Sequence, residues 1–78
     1  MRPLEIEHQG WKVRVIARPV GPRWSALVEV WAPGSADGAE GRVVPFSATL
    51  NSEKEAQAAG RRAAMRFVDR EAKRAQEA

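Results

Sequence analysis

The sequence predicts an α+β fold in which a three-stranded antiparallel meander is covered on one face by a single C-terminal helix. Three short segments in the first fifty residues alternate apolar and polar positions, as strands with one buried face do. An alanine-rich segment follows, and Ser52 and Glu55 precede it at the spacing of a capping box. No internal repeat is visible, so we predict one β-β-β-α domain over residues 1–78.

The first strand is predicted over about residues 11–17. Apolar and polar residues alternate cleanly from Trp11 onward. Residues 4–7 alternate more weakly, and we assign them to the same strand, interrupted by a bulge or kink at Gly10.

The second strand is predicted over about residues 23–31, between two segments of turn-forming composition. Two prolines and a glycine fall within residues 18–23, which is typical of a turn. Residues 32–41 are small, polar and glycine-rich, which predicts a mobile hairpin loop with Asp37-Gly38 at its tip.

The third strand is predicted over about residues 42–46. Because Pro45 cannot donate a hydrogen bond to a neighbouring strand, this strand is expected at an edge of the sheet. A meander in chain order satisfies that requirement and places the second strand in the centre. No two-residue turn sets the register of the third strand, so the face that Val44 and Phe46 occupy is left open.

The helix is predicted over about residues 53–75, with one side made of small residues and Phe67 as a larger anchor. Val68 is expected at the margin of that side. Gly60 costs about 1 kcal/mol of helix stability relative to alanine, and close contact with a bulky sheet residue, such as a tryptophan, is the expected compensation. The inward side consists of Ala56, Gly60, Ala63, Ala64 and Phe67.

One helix covers one face of a sheet, so the other face is predicted to be open. Strand alternation assigns Trp11, Val13, Val15, Trp24, Ala26, Val28 and Val30 to the helix side, and Lys12, Arg14, Ile16, Leu27, Glu29 and Trp31 to the open face. An exposed apolar patch usually marks an interaction surface. The predicted interaction face is therefore Ile16, Leu27, Trp31, Lys12 and Arg14. In the alternative, Trp31 folds over an edge or is covered by residues 4–6.

Composition restricts the class of protein. The net charge is only +3, and the pI of about 10.2 overstates the basicity, because a chain without tyrosine or cysteine has almost nothing that titrates between its single histidine and its lysines. Ala, Arg, Gly and Pro make up 35 residues, a bias that indicates a GC-rich bacterial genome. Without cysteine, a signal sequence or a long apolar run, we predict a cytoplasmic protein with no membrane partner.

No cluster of residues predicts an enzyme, a metal site or a cofactor site. His8 is the only histidine and has no metal-ligand partners at suitable spacing, and no serine lies in a nucleophile elbow. Asp37 and Glu40 supply too few oxygens for calcium, and the loop glycines match neither phosphate-binding pattern. We predict a non-catalytic protein that needs no cofactor.

The helix also carries a basic flank. Like charges four residues apart repel by roughly 0.2–0.5 kcal/mol, and a phosphate-bearing partner would relieve that repulsion. A solvated amphipathic surface is the competing interpretation, because Asp69 lies three residues after Arg66 and four before Lys73. The cations of the flank are Arg62, Arg66, Arg70 and Lys73.

The order of three strands and a helix resembles the C-terminal two thirds of a double-stranded-RNA-binding domain, over about residues 11–68. The motif that carries this resemblance is Ser52-x-Lys54-x-Ala56-x-x-Ala59, followed by Ala63-Ala64. The resemblance implies that Ser52 caps the helix, that the alanines pack on the sheet and that Lys54 contacts phosphate. The family's first helix has no counterpart before Trp11. With Lys54 added, the predicted anion-contact residues are Lys54, Arg62, Arg66 and Arg70.

Nearly the whole chain also resembles a family of small uncharacterised proteobacterial proteins of the β-β-β-α type. The residues that carry this resemblance are Gly10-Trp11-x-Val13, Trp24-x-Ala26-x-Val28, Ser52-x-x-Glu55-Ala56 and Phe67-Val68-Asp69. The resemblance implies the fold, and that family has no established activity to transfer.

Two functions follow from these predictions. The leading hypothesis is an interaction module that uses the open face to form a homodimer or to bind a protein partner. The alternative is nucleic-acid binding, in which Trp31 stacks on bases while Lys12, Arg14 and the helix flank contact phosphates. Glu29 on the same face opposes the alternative. A third hypothesis, a small-molecule pocket between helix and sheet, is disfavoured by the small core.

Overall fold

A four-stranded antiparallel sheet packs one of its faces against a single long helix. The computed structural model describes residues 2–36 and 38–77, so Asp37, the predicted loop tip, lies outside the described residues. The strands follow one another in space in chain order, which confirms the α+β class and the meander but replaces the predicted three strands by four. The elements are β1 (Leu4–His8), β2 (Trp11–Val20), β3 (Arg23–Trp31), β4 (Arg42–Val44) and α1 (Glu53–Glu77).

The predicted bulge at Gly10 is wrong, because residues 4–8 form a strand of their own. Gln9 and Gly10 both take positive φ angles, +51° and +81°, and link β1 to β2 as a two-residue turn. Two successive positive φ angles are the signature of a type I′ turn. His8 and Trp11 pair across it. Positive φ is uncommon at a residue other than glycine, so Gln9 conceals this turn in the sequence.

The second turn, Gly21-Pro22, is also only two residues long, so β2 extends three residues beyond its predicted end. Gly21 has a φ of +59°, as the first position of a type II′ turn requires. Pro19 lies inside β2 and is tolerated because β1 pairs only as far as Val15. Trp24, opposite Pro19, directs its own amide and carbonyl away from β2. The nitrogen of Pro19 therefore faces a free edge of the sheet.

The short strand β4 forms an edge of the sheet, as predicted, and ends directly before Pro45. It is two residues shorter than predicted because proline cannot extend the ladder. Its register settles the question of faces: Val44 pairs with Val28 and is buried on the helix side, whereas Val43 pairs with Glu29 on the opposite face.

The segment between β4 and α1 is held along the edge of β3. Leu50 exchanges two backbone hydrogen bonds with Trp24, at 2.9 and 2.7 Å. The Arg23 guanidinium donates to the Thr49 hydroxyl (2.9 Å), the Thr49 carbonyl (2.8 Å) and the Asn51 side-chain oxygen (2.9 Å). The planar guanidinium of arginine can donate several hydrogen bonds at once, as it does here. No pattern in the sequence predicted this set of contacts.

The helix begins at Glu53, as predicted, and ends at Glu77, two residues beyond its predicted end. The Ser52 hydroxyl accepts a hydrogen bond from the Glu55 amide at 3.1 Å, which is the first half of a capping box. The Glu55 carboxylate accepts from the Asn51 amide at 3.3 Å, one residue before the predicted donor.

The helix lies on the sheet along a stripe of small residues, Ala56, Gly60 and Ala64, and reaches Val68 at its far end. All four are buried. Val68 is fully buried and Phe67 only partly, which reverses the predicted order of anchor and margin. The core on the sheet side includes six of the seven residues predicted there, and the seventh, Trp24, is half-buried; the six are Trp11, Val13, Val15, Ala26, Val28 and Val30.

Gly60 makes the closest approach between the two layers. A Cβ atom placed on it would lie 2.7 Å from Val15 Cγ1, 3.2 Å from Ala26 Cβ and 3.3 Å from Val28 Cγ2. A methyl group does not fit at such distances. The predicted close contact at Gly60 is therefore present. Its partners on the sheet are two valines and an alanine, and not the tryptophan that was predicted.

The C-terminal half of the helix is tied to the first turn of the sheet. The Asp69 carboxylate is 2.7 Å from His8 Nε2 and also accepts a hydrogen bond from the Gln9 side chain. On the inner side, the Phe67 ring packs edge-on against Trp11, with ring centroids 6.3 Å apart. These contacts hold the β1–β2 turn against the helix.

We expect Gly60→Ala to destabilise the protein, although alanine is the better helix former. The added methyl group would force apart a closely packed contact, which costs about 1–3 kcal/mol, whereas the gain in helix propensity is about 1 kcal/mol. Urea unfolding would measure the net change. Ala58→Gly, at an exposed helix position, supplies the propensity term alone. A Gly60→Ala variant more stable than the parent would contradict the described approach.

Candidate interaction face

The face of the sheet that points away from α1, called the open face below, carries every residue predicted for it. Alternation along each strand places the side chains between the buried positions on this side. The structure adds residues that the sequence analysis did not assign, including two glutamates from β1. The open face consists of Glu5, Glu7, Lys12, Arg14, Ile16, Arg18, Val20, Arg23, Ser25, Leu27, Glu29, Trp31 and Val43.

An apolar patch lies in the middle of the open face, formed by Ile16, Leu27 and Val43. Ile16 and Leu27 are direct cross-strand partners and both are half-buried. Val43, on the neighbouring edge strand, is 62% exposed. The helix lies on the other side of the sheet and does not cover these three side chains.

Trp31 is not the centre of this patch. Its indole Nε1 donates a hydrogen bond to the Ala39 carbonyl at 2.8 Å, and its ring edge lies against Gly41, where a Cβ atom would be only 2.8 Å away. The end of the loop 32–41 therefore folds back onto Trp31. The predicted alternative of a cover by residues 4–6 is wrong, since Leu4 and Ile6 pack on the helix side.

Arg14 joins Trp31 to the charged part of the open face. Its guanidinium carbon lies 5.4 Å from the Trp31 ring centroid, a cation–π distance. Its Nε is 3.7 Å from a Glu5 carboxylate oxygen, too far for a hydrogen bond. Arg14 is also the direct cross-strand partner of Glu29. The row across the sheet thus alternates in sign, from Glu5 through Arg14 to Glu29.

A cleft of about 780 Å³ opens between this charged part and the loop 32–41. Its floor carries the two glutamates of β1 with Lys12 and Arg14 of β2, and its wall consists of small loop residues. Pro33 packs over Gly10 at the end of the cleft, where a Cβ atom on the glycine would be 3.3 Å from Pro33 Cγ. The concavity lies on the open face, whereas the third hypothesis placed a pocket between helix and sheet.

The basic flank lies on the other side of the molecule. Arg62, Arg66 and Arg70 are exposed on successive turns of α1, and a shallow depression of about 370 Å³ separates the last two from Asp69. Lys54 is also exposed but lies about 12 Å along the helix axis from Arg62, given a rise of 1.5 Å per residue, and position 58 between them is an alanine and carries no charge. The structure therefore does not bring Lys54 into the flank. Nor does it bring the flank together with Lys12 and Arg14, which lie beyond the sheet.

Several residues of the open face were missed by the sequence analysis. Glu5 and Glu7 were passed over because β1 was read as part of the following strand. Val43 could have been assigned only with the register of β4. Val20, which is 50% exposed, lies in a segment that the two prolines marked as a turn.

Within residues 2–36 and 38–77, no group of three or more His, Asp or Glu side chains is placed to hold a metal ion. The long helix α1 is too polar to be a membrane-spanning segment, and no other helix occurs in the described part of the chain.

Comparisons with protein-family models, with curated proteins and with solved structures found no match to this chain. The two resemblances drawn from the sequence therefore stay predictions.

We expect Trp31→Phe to loosen the loop while leaving the sheet folded. Phenylalanine keeps the aromatic surface but cannot donate to the Ala39 carbonyl. Hydrogen exchange followed by NMR should show faster exchange at residues 38–41 and unchanged exchange in the centre of β3. Trp24→Phe is the matched control, since no hydrogen bond of its indole is present among the described residues. Equal protection of the loop in both variants would contradict the proposed tie.

Proposed function

We propose that this protein is a non-catalytic interaction module that associates with protein through the open face of its sheet. The observation that carries the proposal is the apolar patch on that face, where Ile16 and Leu27 are direct partners and Val43 is exposed on the edge strand beside them. An antiparallel sheet with one solvated face usually shows polar residues there. A direct apolar pair with a third apolar side chain diagonally across from it departs from that pattern and favours a contact surface.

The distribution of charge favours a protein partner over nucleic acid. Glu5, Glu7 and Glu29 stand among the cations of the open face, so it has no uniformly positive surface for a phosphate backbone. Trp31, the residue expected to stack on bases, is held by the Ala39 carbonyl and lies beneath Arg14. Protein surfaces commonly present such a mixture of both signs around an apolar centre.

The size of the open face favours a weak association. The four strands contain 5, 10, 9 and 3 residues, which at about 3.3 Å per residue and about 4.8 Å between strands give a footprint of roughly 400 Å². Stable interfaces bury about 800 Å² on each partner. The complex is therefore expected to form and dissociate readily, with a dissociation constant in the micromolar range or weaker.

Sedimentation equilibrium from micromolar to near-millimolar protein, at low and at high salt, tests the proposal through self-association. A mass that rises with concentration in both salts is the expected result, since apolar burial is insensitive to screening. A constant monomer mass, combined with salt-sensitive binding to single- or double-stranded oligonucleotides, would overturn the proposal in favour of the nucleic-acid alternative.

We expect Leu27→Lys to weaken the association at least about tenfold, because it replaces an apolar group at the centre of the open face by a charge that must be desolvated, and each 1.4 kcal/mol corresponds to a factor of ten. Leu27 is only half-buried and Glu29 lies two residues away on the same face, so the monomer should stay folded, which circular dichroism checks. Ala58→Lys adds the same charge on the exposed side of the helix and should change nothing. Equal association constants for the two variants would show that the open face is not the contact surface.

A further inference from the structure

We infer that the occupant of the open face is a second copy of this chain, related by a two-fold axis that runs parallel to the strands between β2 and β3. The inference deepens the proposed function and rests on it. The support is the complementarity that the observed strand register creates between the open face and a copy of itself.

The geometric step is simple. A two-fold axis between two stacked sheets, parallel to the strands and along the β2–β3 seam, exchanges the positions of β2 and β3. Each residue of β2 then lies over the residue of the second copy that matches its own cross-strand partner in β3. Paired residues within one sheet therefore become stacked residues between two sheets.

The register of β2 and β3 makes these stacked pairs favourable. Ile16 pairs with Leu27, so each would meet the other in the second copy, and apolar side chains would be buried together. Arg14 pairs with Glu29, so two Arg–Glu ion pairs related by the axis would form in the row next to the apolar pair, while Glu5 of that row would lie over Val43 at the margin of the contact. No like charges meet in these two rows.

Two other two-fold axes on the same face do not stack both the Ile16–Leu27 pair and the Arg14–Glu29 pair on themselves. An axis along the β1–β2 seam would stack Glu5 on Arg14 but would leave Leu27 and Val43 beyond the edge of the second sheet. An axis perpendicular to the strands at the Ile16 row would stack Arg14 on Arg18. Of these three axes, only the one along the β2–β3 seam stacks Ile16 on Leu27 and also Arg14 on Glu29.

The loop 32–41 limits how far this contact extends. It rises beside Lys12 and Glu7 at one end of the open face, where it forms the wall of the cleft. The sheets can then meet closely only from the Arg14 row toward the β2–β3 turn. That half contains Ile16, Leu27 and the paired charges, and its small area agrees with a weak dimer.

A charge exchange between two variants tests the axis. The Arg14→Glu variant has glutamate at positions 14 and 29, and the Glu29→Arg variant has arginine at both positions. Like charges facing each other cost several kcal/mol, so each variant alone should associate roughly tenfold or more weakly than the parent. An equimolar mixture should recover association to within about threefold of the parent, because each glutamate then faces an arginine of the other variant.

The parent protein and the variants are compared by sedimentation equilibrium, with circular dichroism to check that each variant is folded. A parent that associates while the mixture is no stronger than either variant would overturn the axis and leave the proposed function standing. A parent that remains monomeric near millimolar concentration would overturn the second copy as occupant and, with it, the self-association arm of the proposed function.

A second measurement applies if like charges within one sheet unfold a variant. The chain contains no cysteine, so single cysteines report without background. Arg18 pairs with Ser25, and the proposed axis stacks these two positions between copies. Across that axis the Arg18 positions of the two copies lie about 11 Å apart and the Val43 positions about 18 Å apart, given strands about 4.8 Å and sheets about 10 Å apart. Both positions are exposed in the monomer, so a bis-maleimide about 10 Å long should join Arg18→Cys several-fold faster than Val43→Cys. Equal rates would overturn the axis.

Discussion

The close approach of α1 to β2 and β3 at Gly60 is the contact on which the rest of the structure depends. Without a side chain at this position, the helix axis comes near enough for Val15 and Val28 to be fully buried beneath it. The stripe of small residues on either side continues this contact along the helix. Since the chain has only one helix in its described part, the commitment of α1 to this face leaves the opposite face of the sheet without a cover.

The sequence was sufficient to predict the features that depend on neighbouring residues in the chain. The start of the helix follows from a hydroxyl and a carboxylate three residues apart, and the faces of β2 and β3 follow from alternation. The first strand could not be recognised, because its turn places Gln9 in a conformation that glycine or asparagine usually signals. The depth of Val68 relative to Phe67 depends on the angle at which the helix crosses the sheet, which a helical wheel does not contain.

In the candidate site, too, some features could be predicted from the sequence and others could not. Membership of the open face was predictable, since each side chain's direction follows from its place in a strand. The environment of Trp31 was not, because it depends on a loop of small residues that folds back through one hydrogen bond from the indole. The sign alternation across Glu5, Arg14 and Glu29 needed both the extra strand and the register. The exposure of Trp31 and the arrangement of charges on the open face thus depend on contacts between distant segments of the chain, which residue types alone do not reveal.

The prolines at the edges of the sheet bear on how far assembly can proceed. Pro3 precedes β1, Pro19 faces the uncovered part of β2, and Pro45 follows β4, so each free edge of the sheet has a proline at or beside it. Proline cannot donate a main-chain hydrogen bond, and edges that contain it are poor templates for adding strands from other molecules. A face-to-face contact around a two-fold axis buries the same surface on both copies, so that surface is not free to bind a third copy. In the proposed dimer, these features would let association end at a pair, because neither the buried faces nor the edges that bear prolines would favour the addition of further sheets.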